Sequence, residues 1–255
     1  MKKNLYIVKG LNSRSNPVKN FIYYLFEGFA DYARMILEVF VRSDFGERYF
    51  SLSSAIILAF VLALFPIPFL AARYAMTGEI WLHILLHFAT WYIFLGYFIK
   101  VCLRRKKEIK RVDKTMFDTE RFSLSHGIVA SWLVNFTYMG RKFNIRQVET
   151  LIEPAFFFII GLGLTIFGQA IGLLILFSSI IYSLSYRLIY KKGDNFILDF
   201  IDTKIANRLT VSVFVDGIED DPSGYRMRAR RPAERNTRED IANGIIQDDA
   251  VFYAV

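Results

Sequence analysis

Two stretches of the chain are apolar at nearly every position, rather than at every second or every third and fourth. That pattern marks segments that are buried on all sides or that face lipid. Residues 53–76 hold no charge before Arg73, and residues 79–102 hold none between Glu79 and Lys100. Each stretch exceeds the ~20 residues that cross a hydrocarbon core of ~30 Å. The connector Met76-Thr77-Gly78 is very short, so the pair is expected to form an antiparallel hairpin. Pro66 and Pro68 should kink or locally unwind its first helix. Trp81, Trp91 and Tyr92 suit the membrane interface or the helix contact. A further apolar block runs from Leu151 to Tyr190, too long for one crossing and long enough for two short ones. Glu153-Pro154 reads as a helix start and Phe167-Gly168-Gln169 as the turn between the two.

Between and around these blocks the pattern changes. From Pro17 to Arg42, Asn20, Glu27, Asp31, Arg34, Glu38 and Arg42 recur at helical spacing, with Ile22, Leu25, Phe26, Phe29, Ala33, Ile36, Leu37 and Phe40 on the other side. Such a helix, beside a span, is expected to lie in the interface plane with its charged stripe toward water. Packing against another protein helix is the alternative. Residues 122–139 read as a partly buried helix. In the tail, 194–208 is an amphipathic helix, 209–215 is strand-like, and 225–230 alternates as a second strand. Asn236-Thr237 is expected to cap a short helix. The chain thus reads as a helical integral membrane protein with four transmembrane helices as two hairpins, an interfacial helix and a small α+β tail. Its parts are 1–52, a cytoplasmic N-terminus with the amphipathic helix; 53–103, the first hairpin; 104–150, a basic cytoplasmic loop; 151–190, the second hairpin; and 191–255, a cytoplasmic C-terminal domain.

Composition agrees with a membrane protein: 54% of the 255 residues are hydrophobic, and the formal net charge is +8. Arg104, Arg105, Lys106, Lys107, Lys110 and Arg111 follow the first hairpin directly. The positive-inside bias therefore places this loop, the N-terminus and the tail on the cytoplasmic side, in a bacterial inner membrane. The same six cations are candidates for contact with anionic phospholipid. No cleavable leader is visible at the N-terminus, and the single cysteine, Cys102, excludes an internal disulfide and reads as a buried small hydrophobe.

Chemistry is sparse. His83 and His87 lie one helical turn apart, a spacing that can offer metal or haem ligands, but His126 is the only other histidine. The spans carry no charge at their centres, which argues against ion-coupled transport, although Gly161, Gly163, Gly168 and Gly172 resemble a broken transport helix. Gly161, Gly168 and Gly172 are also candidates for close helix packing. There is no nucleophile elbow, phosphate loop or dinucleotide fingerprint, so no catalytic residue, cofactor site or metal site is assigned. Arg226, Arg228, Arg230, Arg231, Arg235 and Arg238 lie between acidic stretches and suit docking to a partner protein. Nucleic acid is disfavoured, because no aromatic platform is interleaved with them. The expected function is that of a non-catalytic scaffolding subunit of a multi-protein membrane complex, with secretion or conjugation machinery as one setting and self-association as an option. A small transporter or channel subunit is the alternative, and a His-ligated membrane enzyme the second.

Overall fold

The computed structural model describes residues 17–77, 88–109, 122–138, 140–218 and 230–250. His83, His87, Trp81, Lys110, Arg111, Arg226 and Arg228 lie outside them, as does the expected strand at 225–230. The structure is mostly helical and divides into two compact units, Ile22–Leu188 and Met1–Phe21 with Ile189–Val255. Among the described residues, three helical segments are long and apolar enough to cross a membrane: Leu52–Ala72, Ile145–Ile166 and Ala170–Asp216. The chain is therefore read as a helical membrane protein. The expected crossing at 79–102 lies partly outside the described residues.

In the unit Ile22–Leu188, α1 (Pro17–Val41) leads into a two-residue strand β1 (Arg42–Ser43). The first candidate span falls in two helices, α2 (Leu52–Leu64) and α3 (Ile67–Thr77), opened by Ser51, whose side chain accepts from the Ser54 amide at 3.3 Å. The break between them falls at Phe65-Pro66, as the prolines predict. Pro66 has no N–H to give the carbonyl four residues back, which is that of Leu62. Trp91, on α4 (Ala89–Ile109), supplies the missing donor: its indole Nε1 reaches Leu62 O at 2.9 Å. A span broken by proline stays viable in lipid only when the freed carbonyl finds such a partner. Ala55 and Ala59 of α2 share a core with Phe98 and Cys102 of α4, and Val39, Phe45 and Phe50 close it.

Proline is accommodated in the same way in the second hairpin. The short helix Ile145–Gln147 and a π-helical turn, Val148–Ile152, run directly into Glu153–Ile166. Pro154 frees the Thr150 carbonyl, and Ser183 Oγ donates to it at 2.6 Å. The α-helix opens at Glu153-Pro154 as expected, and the wide π turn before it lets the chain enter without a break. The chain reverses at Phe167-Gly168-Gln169, where Gly168 takes φ +72°, a left-handed conformation that glycine adopts at no steric cost. It returns in the long helix Ala170–Thr210.

Residues 122–139, expected to form a helix, do not. They hold β2 (Ile128–Val129), which pairs antiparallel with β1, a four-residue helix α5 (Ser131–Val134), and β3 (Thr137–Tyr138), which pairs with β4 (Arg141–Lys142). Gly46 and Arg48 amides bond to the Ser125 and Ser123 carbonyls at 2.9 Å each, so this segment is stitched along residues 42–48. With these elements counted, the short helix at 145 is α6, Glu153–Ile166 is α7 and Ala170–Thr210 is α8. In the unit of residues 189–255, α8 continues through Gly193 to Thr210 instead of restarting at Asp194, since one interior glycine costs only about 1 kcal/mol. The expected strand at 209–215 is a π-helical turn, Val211–Asp216. Val213, Phe214 and Val215 are all buried, so the alternation that would mark a half-exposed strand is missing. The last helix, α9 (Arg235–Ala250), contains Asn236 and Thr237 rather than being capped by them. Among the described residues the tail is thus helical, not α+β.

Candidate functional site

The charged stripe of α1 is buried against protein from Arg34 onward, while Asp31 stays exposed, so this part of the helix packs on other helices, the alternative to the in-plane placement. Arg34, Glu38 and Arg42 are buried, the last two at 2% exposure or less. An ionised side chain loses several kcal/mol of hydration on burial, so such groups persist only when paired and hydrogen-bonded. The partners come from four other segments. Arg42 donates from Nη2 and Nε to Glu153 Oε2 at 2.7 and 3.2 Å, and Tyr182 Oη donates to the same oxygen. Arg42 Nη1 lies 3.1 Å from Glu149 Oε1, a Coulombic contact without the alignment of a hydrogen bond. One turn back, Glu38 accepts from Tyr186 Oη on Oε1 at 2.8 Å and from Tyr49 Oη on Oε2 at 2.6 Å. Arg34 pairs with Asp31 and stands 3.8 Å from Glu38.

The Tyr186 ring is the hub. The Arg42 guanidinium carbon sits 4.6 Å from its centroid and that of Arg34 5.5 Å, so two cations stand against the same ring. His126 Nδ1 is 3.2 Å from Tyr186 Oη and its ring stacks on Tyr49 at 4.3 Å. Tyr186 gives its only hydroxyl proton to Glu38, so His126 must donate from Nδ1, which fixes the neutral imidazole as the Nδ1–H tautomer. Burial lowers the His126 pKa; Glu38 opposes this, and Arg34 and Arg42 add to it. Burial and then Glu38 push the Tyr49 phenol well above its ordinary range. For Arg42, burial works against the charge, but the oxygens of Tyr182, Tyr186, Glu153 and Glu38 outweigh it and keep the guanidinium protonated. Beside the cluster a cavity of about 230 Å³ is lined by Asp31, Arg34, Glu38, Arg48, Tyr49 and apolar neighbours. Two buried cations and two buried carboxylates balance, and the arrangement clamps α1 to the second hairpin.

Sequence reasoning named none of these residues as a site. The available signal was the helical spacing of Glu38 and Arg42, which reads equally as a solvated face. Glu153, expected at the start of the second hairpin, lies within the candidate span Ile145–Ile166 and is fully buried.

The residues that were named fall elsewhere. Of the proposed lipid contacts, Arg104 and Lys107 are exposed and Lys106 is half-buried. Arg105 is diverted: its Nε donates to the Val39 carbonyl at 3.0 Å and its Nη1 pairs with Glu108 at 3.1 Å. Val39 lies in the last turn of α1, where carbonyls lack helical partners and a cation is favoured. Of the packing glycines, a Cβ on Gly161 would stand 2.8 Å from Leu176 N, and one on Gly172 would stand 2.5 Å from Thr165 N. These two let the α7 and α8 backbones meet, whereas Gly168 has open space and serves the turn. In the tail, Arg230 and Arg231 are exposed, and Arg235 pairs with Asp216 at 3.3 Å and Glu239 at 2.8 Å. Arg238 is half-buried, with its Nε lacking a hydrogen-bond partner. Among the described residues no group of His, Cys, Asp and Glu is arranged to hold a metal ion. No family model matches the chain, and no curated protein or solved structure is detectably similar to it.

Proposed function

We propose that the protein is a non-catalytic anchoring subunit of a multi-protein complex in a bacterial inner membrane, with four crossings in two hairpins and its tail in the cytoplasm. The observation that carries this reading is α8. It leaves a candidate span and continues unbroken to Thr210, with Phe196, Ile197, Phe200 and Ile201 uncovered on its extension. A stiff helix that rises from the membrane with an apolar face is suited to hold a partner, and a large exposed apolar patch is the usual mark of an interaction surface. The exposed Arg230 and Arg231 in the same unit add charge that selects an acidic partner. The buried cluster pairs its cations with its carboxylates and so contributes rigidity to the anchor, although Arg34 Nε, Arg42 Nη1 and Glu153 Oε1 make no hydrogen bond among the described residues. Purification of a tagged copy from native membranes in mild detergent tests this. Stoichiometric partners that are lost on removal of residues 216–255 support it, and a lone monomer or homo-oligomer counts against it.

A small transporter is the second reading, favoured by Glu153, a carboxylate inside a candidate span. Proton or ion flux in liposomes containing this chain alone, abolished in Glu153→Gln, would support it over the first.

A further inference from the structure

We infer that α1 is a further crossing, parallel to α8 and additional to the four of the two hairpins, which sets the N-terminus opposite the tail, and that its surface at Ile22, Leu25, Phe29 and Tyr32 is covered by acyl chains. The inference rests on the reading that α8 crosses the membrane, and it replaces the in-plane placement that the amphipathic pattern suggests. Three observations carry it. First, the second half of α1 is buried, Arg34, Glu38 and the adjoining Arg42 along with Ala33, Ile36 and Leu37, while Ile22, Leu25, Phe29 and Tyr32 are 60%, 63%, 52% and 48% exposed. Such a run of large exposed apolar side chains, continuous with a helix whose ionised groups are buried and paired, suits lipid as the outer solvent.

Second, α1 and α8 run in the same direction in a constant register. Phe29 stands edge-on to Phe177 with centroids 6.2 Å apart, Ala33 and Ile181 share a buried cluster, and Glu38 accepts from Tyr186. Each step along α1 is matched by an equal step along α8. A helix that tracks a crossing helix over more than two turns cannot also lie in the membrane plane. Residues 22–41 rise roughly 30 Å at 1.5 Å per residue, the depth of one hydrocarbon core. Third, the outward face continues into that of α8, where Leu173, Phe177 and Ile180 are uncovered as well.

The register sets the test. In full-length protein on a Cys102→Ala background, reconstituted in phospholipid nanodiscs, nitroxides are placed singly at Leu25, Phe29 and Tyr32. They are compared with Leu173, Phe177 and Ile180, and collision with oxygen and with a water-soluble nickel chelate is measured. The expected result is high oxygen and low nickel access at all six sites. Each α1 site should share its depth with its α8 counterpart, Leu25 with Leu173, Phe29 with Phe177 and Tyr32 with Ile180. Equal, shallow depth along α1 with graded depth along α8 would overturn the inference and return α1 to the interface, the arrangement that Lys2, Lys3, Lys9 and Arg14 favour through the positive-inside bias. Exclusion of both reagents from α1 would overturn it in favour of a covering protein. Nickel access along α8 itself would instead remove the membrane reading on which it stands.

Discussion

Glu38 and Arg42 are four positions apart on one helix and would normally be read as a surface pair worth a few tenths of a kcal/mol. Here each engages partners more than a hundred positions away, and burial raises the stakes. Removing one partner of a buried pair leaves an uncompensated charge, at about 3–5 kcal/mol. Arg42→Leu and Glu153→Leu should therefore each lower thermal stability in detergent sharply. The double variant should lose clearly less than the two losses combined, and additive losses would show that the pair is not coupled. His126 gives the cluster a pH dependence. The folded protein holds this imidazole below its ordinary value of 6.5, so the unfolded chain binds the proton more tightly. The stability involved is intact above that value and is lost as pH falls through it toward the folded pKa. Melting temperature should drop between about pH 7.5 and about pH 5.5, and drop less in His126→Phe, which keeps the stack on Tyr49 but cannot titrate. Equal drops would assign the effect to the carboxylates instead.

At the scale of elements, Pro66 and Pro154 each interrupt an apolar helical segment, and each leaves a carbonyl that a side chain from a neighbouring helix takes up. Trp91→Phe and Ser183→Ala each strand one buried carbonyl and should cost about 1–3 kcal/mol, with little change in packed volume for the second. Gly172→Leu should disrupt the second hairpin, since the α7 backbone already lies within contact of that position, whereas Gly168→Ala, with open space but a left-handed backbone, should cost only about 1 kcal/mol. Detergent melts of these variants order the effects, and equal losses at both glycines would refute the close approach. The break at Pro66 and the turn at Phe167-Gly168-Gln169 were legible in the sequence, because proline and glycine act through local backbone geometry. The helix expected at 122–139 was not, since its strands exist only by pairing with residues 42 and 43, far away in sequence. The buried cluster was illegible for a related reason. A charged stripe on a helix has the same spacing whether water or protein lies beyond it, and only Glu153, Tyr182 and Tyr186 decide which.

The whole molecule combines apolar helices fit to cross a membrane, a first helix clamped to the second hairpin by a charge-balanced cluster, and a long helix that runs on into the tail. The proposed anchoring function predicts a specific neighbour at the exposed arginines of the tail, and the most direct measurement is photo-crosslinking in living cells. A photoreactive residue is placed at Arg230, Arg231 or Arg235 of the full-length chain, with Lys107 as the lipid-side control. The account predicts a discrete adduct of one or a few defined proteins at the tail positions and none at Lys107. Absence of any adduct at all three tail positions, in membranes where the protein is present at its native level, would contradict it.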